Sequence, residues 1–302
     1  MPRADWWPVD KVMLTYLGAV TTAELLYWSS IPHALERLIT HLIGILIIVL
    51  VANVGRTVLP SPLLRFTHYW YPLPYISYCY KEMGMLIPAL GRPDADAALA
   101  HLDFAIWGAN PTVWLERLRS PILAEALEIV YSGFVPVVLL VAFLLWKRRR
   151  FCEFRYYAFL IAFGFLVSYV GYFLVPARGP RFLLRHLQTY DLHGIWLFDW
   201  LSMTLDRIES AHYDCFPSGH TEMTILAWWG SRLVSATLFR VMFAYTLGVI
   251  FATVYLRYHY TVDVLAGVVV ASALILTTPM IYQTLGGNKR GLAPSVSEGA
   301  PR

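Results

Sequence analysis

Hydrophobic positions in this chain gather into long runs instead of alternating with polar ones. A bilayer core about 30 Å thick is crossed by about 20 apolar residues in a helix. By that ruler seven stretches predict membrane-spanning helices, at roughly 12–31, 37–54, 121–146, 156–177, 221–238, 240–257 and 260–285. The strongest windows, 156–177 and 264–285, are each 22 residues without a formal charge. The weakest is 221–238, where Glu222 and Arg232 are expected to snorkel or to face the bundle interior. Span 12–31 holds Glu24 and is also only moderately apolar.

The segments between the spans differ in kind. Residues 55–120 are too long for a connector, and their 65–90 portion mixes Tyr, Trp, Pro and His, the pattern of a segment lying at the headgroup level. Residues 178–219 are rich in His, Asp, Arg and Trp; within them His186, Asp191, His193, Asp199 and His212 read as solvated loop residues. The tail, 286–302, is Gly-, Pro- and Ser-rich and is expected to be disordered. The expected organisation is therefore all-α, a multi-pass transmembrane bundle of about six to seven spans. Its parts are 1–120 with two spans and the aromatic segment, a transmembrane core over 121–285, and the tail 286–302.

Composition agrees with the pattern: 58% of the 302 residues are hydrophobic and 15% charged, against about 25% charged in a soluble domain. Twenty-four Lys and Arg against 20 Asp and Glu give a net charge of only +4, and the one dense run, Lys147-Arg148-Arg149-Arg150, ends an apolar stretch. That is the mark of a cytoplasmic anchor, not of the basic stripe nucleic acid requires. Cys79, Cys152 and Cys215 are odd in number and lack metal-ligand spacing, which argues against a disulfide framework and against zinc. No charged-then-apolar signal order opens the chain, so the spans themselves are expected to direct insertion. The loop 147–155 carries five Lys and Arg and is assigned to the cytoplasm. Parity then sets 55–120, 178–219, the junction near 258 and the N-terminus outside, and the tail inside.

Chemistry concentrates at span ends. Three clusters stand out: Pro176-Ala177-Arg178-Gly179-Pro180-Arg181, Asp214-Cys215-Phe216-Pro217-Ser218-Gly219-His220, and Arg257-Tyr258-His259-Tyr260-Thr261-Val262-Asp263. His220 and His259 are 39 residues apart, two spans' worth, so a helical hairpin returns both to one membrane face. Arg178 and Arg181 end the fourth span on that face. A helix starting at Ser218 and Gly219 offers free N–H groups and a positive dipole end to an anion, and Gly219 permits close approach. The arginines supply planar donors. His259 and Asp263 are i and i+4 on one helix, a base and its orienter. Alone, a His-x-x-x-Asp is usually a structural hydrogen bond and the arginines interfacial anchors; together on one face they point to phosphate.

Phe216-Pro217-Ser218-Gly219-His220 and His259-Tyr-Thr-Val-Asp263-Val-Leu-Ala-Gly267 resemble the second and third signatures of the type 2 phosphatidic acid phosphatases, over roughly 121–285. The resemblance implies His259 as the nucleophile forming a phosphohistidine, Asp263 as its orienter, and His220 as general acid. It implies Ser218 and Gly219 as phosphate ligands and no metal or other cofactor. The first signature's Lys has no counterpart: position 174, seven before Arg181, is Leu, and position 171, seven before Arg178, is Gly. The third signature's Arg is replaced by Thr253, leaving Arg257 either as its substitute or as an interfacial anchor. The context of the third motif, with the 65–90 segment, resembles the inositol phosphorylceramide synthase branch, whose members pass a phosphorylated headgroup to a lipid alcohol. The expected partners are thus a membrane lipid phosphate and an alcohol acceptor. Hydrolysis of a lipid phosphate is the alternative, and a non-catalytic lipid-phosphate binder or transporter a second one. The expected setting is the cell (inner) membrane, with the site on its non-cytoplasmic face.

Overall fold

The computed structural model describes residues 6–57, 62–208 and 213–294, which form helices and connecting turns without a strand. The N-terminal helices are α1 (Pro8–Leu26), α2 (Ala34–Thr57), α3 (Pro62–Trp70) and α4 (Pro72–Ala89). Next come α5 (Asp96–Trp107), the short α6 (Pro111–Trp114), α7 (Pro121–Ser132), α8 (Phe134–Lys147) and α9 (Phe151–Leu174). The last set is α10 (Pro180–Leu183), α11 (Phe198–Ile208), α12 (Gly219–Ser231), α13 (Ala236–Tyr255) and α14 (Thr261–Thr284). Proline opens α1, α4, α6, α7 and α10, where its missing N–H costs nothing and its φ already suits a helix. Ser120 and Ser235 cap α7 and α13 by accepting the N–H groups of Leu123 and Leu238.

α9 is the hub: it packs against α1, α4, α8, α12 and α14, and Tyr156, Tyr157, Phe159 and Leu160 on it are fully buried. Residues 34–53 of α2, with α9, α13 and α14, are long and apolar enough to cross a membrane. α7 and α8 join them if the pair, bent by 43°, is one broken span. These helices make the chain an integral membrane protein.

Two of the seven expected spans fail that test. α1 ends at Leu26 and carries Asp10, Lys11 and Glu24. α12 stops after 13 residues, about 20 Å of helix at 1.5 Å per residue. α12 is nonetheless enclosed by α8, α9, α13 and α14, and its buried carboxylate is met from α9: Ser168 Oγ donates to Glu222 Oε2 at 2.5 Å. A helix that no lipid touches needs neither the length nor the purity of a lipid-facing one.

The aromatic 65–90 segment does not lie flat. α4 runs beside α9 end to end: Tyr69 and Phe154 rings meet at 5.2 Å near one end, and just past the other Arg92 Nη1 donates to Phe173 O at 2.9 Å. Polar contacts cross between these helices: Tyr169 Oη of α9 donates to Ile76 O of α4 at 3.1 Å, and Tyr80 Oη of α4 donates to Asp214 Oδ2 at 2.6 Å. The tail is ordered at its start. Lys289–Leu292 forms a 3-10 turn with Gly291 pressed on the Cys152 carbonyl, while residues 295–302 lie outside those described.

Candidate active site

The three clusters meet at one end of the bundle. The α12–α13 hairpin brings His220 and His259 together with ring centroids 5.9 Å apart, and both are buried. His259 Nδ1 lies 2.9 Å from the Cys215 carbonyl oxygen. A carbonyl only accepts, so Nδ1 carries the hydrogen and Nε2 keeps its lone pair. Asp263 Oδ2 is 3.6 Å from the same Nδ1, beyond hydrogen-bond reach, and accepts instead from the Tyr260 N–H at 2.8 Å and the Cys215 thiol at 2.9 Å. The ring is thus oriented by a backbone carbonyl, and the carboxylate supports it electrostatically. Burial, then the Asp263 charge, pushes the Cys215 thiol well above its ordinary range, so it stays protonated as the donor.

His220 is held from α7. Tyr131 Oη is 3.2 Å from His220 Nδ1, and the two rings stack at 4.2 Å. Tyr131 stacks in turn on Tyr258 at 4.3 Å, and the Arg181 guanidinium lies over the Tyr258 ring, 5.0 Å from its centroid. A column of four groups therefore sets Arg181 relative to His220. Arg181 Nη1 also donates to Asp206 Oδ1 at 2.6 Å; burial would depress its pKa, but Asp206 raises it beyond that. Arg178 is exposed and lies over Phe182.

Ser218 and Gly219 stand at the start of α12. Ser218 Oγ accepts the Thr221 N–H, and the Ser218 N–H donates to Asp263 O at 3.0 Å, which ties the second cluster to the third. Gly219 sits against the Tyr172 hydroxyl, which a Cβ would strike.

Arg257 is elsewhere. Its Nη2 pairs with Glu116 Oε1 at 2.9 Å, and its Nη1 donates to Gln188 Oε1 and Tyr190 O. Of the two readings open for it, anchoring fits this geometry: it pins the 188–190 loop and is fully engaged there. The solvated loop residues form exposed pairs, Arg185 with Asp191 and His193 with Asp199; His212 lies outside the described residues.

Two carboxylates without a motif complete the scaffold. Asp96 accepts the Arg178 and Gly179 N–H groups, both at 2.7 Å, and the Tyr260 hydroxyl. Burial pushes this carboxyl up while the two N–H groups pull it down. Gly179 has φ +102°, and a Cβ there would come 2.8 Å from Tyr258 O, so the first cluster folds onto the third only with glycine at the turn. Asp103 accepts the Thr261 and Val262 N–H groups at 2.9 Å each and fixes the start of α14. Their spacing of seven, on a helix apolar except for His101, was the available signal.

Cys215, His259 and Asp263 also lie close enough to share a metal ion. Their donor atoms are engaged with one another as described, and a thiol held protonated is a poor ligand.

Residues 97–277 match the PAP2 superfamily, more than half the chain, and the chain belongs to it. No curated protein and no solved structure matches it. Members of this superfamily are phosphatases or phosphotransferases, and this protein is an enzyme of that kind, acting on phosphate esters.

Proposed function

We propose that this enzyme moves a phosphorylated group from a membrane lipid phosphate ester to an acceptor through a phosphohistidine on His259. The observation that carries this reading is the 2.9 Å bond from His259 Nδ1 to the Cys215 carbonyl, which leaves Nε2 nucleophilic beside His220. In the first half-reaction Nε2 attacks phosphorus and the bond to the leaving oxygen breaks. Protonated His220 passes its proton to that oxygen. Arg181, with Arg178, and the N–H groups at the start of α12 hold the charged oxygens. In the second half an acceptor hydroxyl attacks phosphorus, its proton returns to His220, and the N–P bond breaks.

An alcohol is the favoured acceptor, as in inositol phosphorylceramide synthase, because the site is poor in cations. Arg257 is drawn onto Glu116, and positions 174 and 253 are Leu and Thr. Fewer cations suit a singly charged phosphodiester better than a dianionic monoester. Hydrolysis is the second reading, favoured by the exposed Arg178 and by the solvated pairs of the neighbouring loop, which leave water close by. A binder without catalysis would have no use for a tautomer-fixed His259 beside His220. Neither route calls for a metal or cofactor. The reading sets the site on the non-cytoplasmic side of a cell membrane. In support, Arg148 and Arg150 of the basic turn bond the carbonyls of Val234 and Leu233, at the opposite end of α12 from His220.

The test supplies a phosphodiester lipid and a phosphomonoester lipid separately to the protein in vesicles, each with a labelled alcohol. Label in a new lipid from the diester, absent with His259→Ala, is expected. Free phosphate from the monoester, unaffected by the alcohol and without labelled lipid, selects hydrolysis. Absence of both products overturns the proposal.

A further inference from the structure

A cavity of about 440 Å³ begins at the active site and runs away from it through the membrane region. Gly219 and His220 line its head, together with Ser132 and Asp214. One face of α9 then lines its length, through Tyr172, Tyr169, Phe165, Ile161, Tyr157 and Phe154. Those residues follow helical spacing over 18 positions, which at 1.5 Å per residue is about 27 Å, close to the ~30 Å of a bilayer's hydrocarbon core. Leu73, Ile76 and Tyr80 of α4 form one wall, and Val135, Leu139 and Ala142 of α8 the other. Leu73 and Val135 are 37% and 43% exposed, so the cavity opens sideways, toward lipid. At the far end stand Trp70 and Phe154, whose rings meet edge to face at 5.2 Å.

We infer that this groove seats the hydrocarbon chain of the phosphorylated lipid, and that Trp70 and Phe154 set the chain length accepted. The inference rests on the proposed action on lipid phosphate esters and adds which part of the molecule selects the lipid. Three features name the occupant. The groove is continuous with His220, its walls are apolar below a polar head, and its length is that of one membrane leaflet's chain or longer. A soluble phosphate ester has no chain to fill it, whereas a lipid phosphate reaching the site from the membrane brings its chain alongside this opening. Because α4 and Trp70 precede the family-matched residues 97–277 and Phe154 lies within them, the groove that selects the chain is built partly by the superfamily core and partly by helices outside it.

Two readouts test this. Hexadecyl phosphate carrying a mid-chain diazirine is photolysed with the protein in vesicles, and the adducts are mapped. Adducts on α4, α8 and α9, competed by unlabelled hexadecyl phosphate but not by hexadecanol, are expected. Adducts on other helices, or equal competition by hexadecanol, overturn the inference. In parallel, turnover of butyl and hexadecyl esters, of whichever phosphate class the wild type uses, is compared within each preparation. Ala158→Trp, mid-groove on α9, should lower the hexadecyl-to-butyl ratio at least tenfold with the butyl rate little changed. Trp70→Ala removes bulk and should raise the rate of an eicosyl ester relative to hexadecyl. If Ala158→Trp is inactive on both chains, the Trp70→Ala ratio and the adduct map decide. Unchanged ratios in both variants overturn the inference. Adducts in the groove without turnover of any ester would leave the groove standing and defeat the proposed function instead.

Discussion

The N-terminal helices and the family-matched part of the chain bury charge in different ways. Between α1, α2 and α4, Arg37 donates to Glu24 at 2.8 Å and to Glu82 at 2.7 Å, with His41 Nδ1 3.2 Å from Glu24; side chain answers side chain. Beside and within the family-matched part, the buried Asp96 and Asp103 answer backbone N–H groups, as does the more exposed Glu125, which accepts those of Ile195, Trp196 and Leu197. An ion pair joins helices whose shape is already fixed by their own hydrogen bonds. A carboxylate on backbone amides sets the shape of a loop that has no other template. The first device holds the bundle together, and the second builds the site.

Substitutions should therefore separate along that line, with turnover lost on one side and stability on the other. The largest effect belongs to His259→Ala, which removes the proposed nucleophile. Turnover should fall more than ~10⁴-fold while the melting temperature stays near wild type, and activity above a tenth of wild type would overturn the assignment. Asp263→Asn should be milder, because the Cys215 carbonyl still fixes the tautomer.

Asp96→Ala comes next. It leaves the Arg178 and Gly179 N–H groups without their acceptor, at ~1–3 kcal/mol for each buried group, and frees the turn that carries Arg181. A fall of ~10²-fold in kcat is expected from the lost positioning, seen with short and long substrates alike. A change confined to melting temperature would show that Asp96 is only a staple.

Arg181 and Arg257 sharpen the contrast within one region. Arg181→Ala should lower kcat by ~10²–10³-fold, the scale for losing one group aimed at transition-state charge, with little change in stability because the residue is partly exposed. Arg257→Ala removes a buried guanidinium from Glu116, which is only partly buried and keeps the Thr189 hydroxyl as a donor. The stability loss should therefore fall below the ~3–5 kcal/mol of a fully buried broken pair, while kcat changes little. Thermal unfolding in detergent and steady-state rates on the same preparations distinguish them. A kcat loss larger for Arg257 than for Arg181 would return Arg257 to the phosphate.

The same measure applies to Arg37 in the N-terminal helices. Arg37→Met alone should destabilise by ~3–5 kcal/mol. The triple change Glu24→Gln, Arg37→Met, Glu82→Gln removes the charged members around the buried His41 and should recover part of that, since a buried ion network removed together is less costly than one broken partner. kcat on a short-chain ester should be unchanged throughout. A kcat effect in the triple variant would dissolve the distinction between the two regions.

What could be read from the sequence follows the same division. α9 and α14 announce themselves as uncharged apolar runs, and the residues that meet at the site are those whose chemistry and spacing are local: the Ser218–His220 turn, and His259 with Asp263 one helical turn on. Partners that act across distance left no such mark. That the Cys215 carbonyl orients His259 is invisible, because a carbonyl has no residue type. Arg257, two positions before His259, turned to the opposite loop because φ +66° at that residue and Glu116, 141 positions away, are both tertiary facts. α12 read as a weak span because hydropathy measures compatibility with lipid, and α12 meets protein on its sides. The 65–90 segment read as interfacial because Tyr and Trp, large apolar bodies with one polar tip, occur both in a headgroup region and in a bundle interior.

The smallest expected effect is that of a chelator. Cys215, His259 and Asp263 are a geometrically adequate trio for a cation, so the question is chemical. A divalent ion there would need the Cys215 sulfur deprotonated, yet burial and the Asp263 charge both raise that thiol, and the sulfur donates its hydrogen to the carboxylate. Nδ1 of His259 would need a lone pair, but it faces the Cys215 carbonyl as a donor. Turnover in EDTA should therefore equal turnover without it, while vanadate should inhibit as a mimic of the five-coordinate phosphorus. Loss of activity in EDTA, restored by a divalent cation and abolished in Cys215→Ser, would show that the trio binds metal and that its internal hydrogen bonds describe the resting state alone.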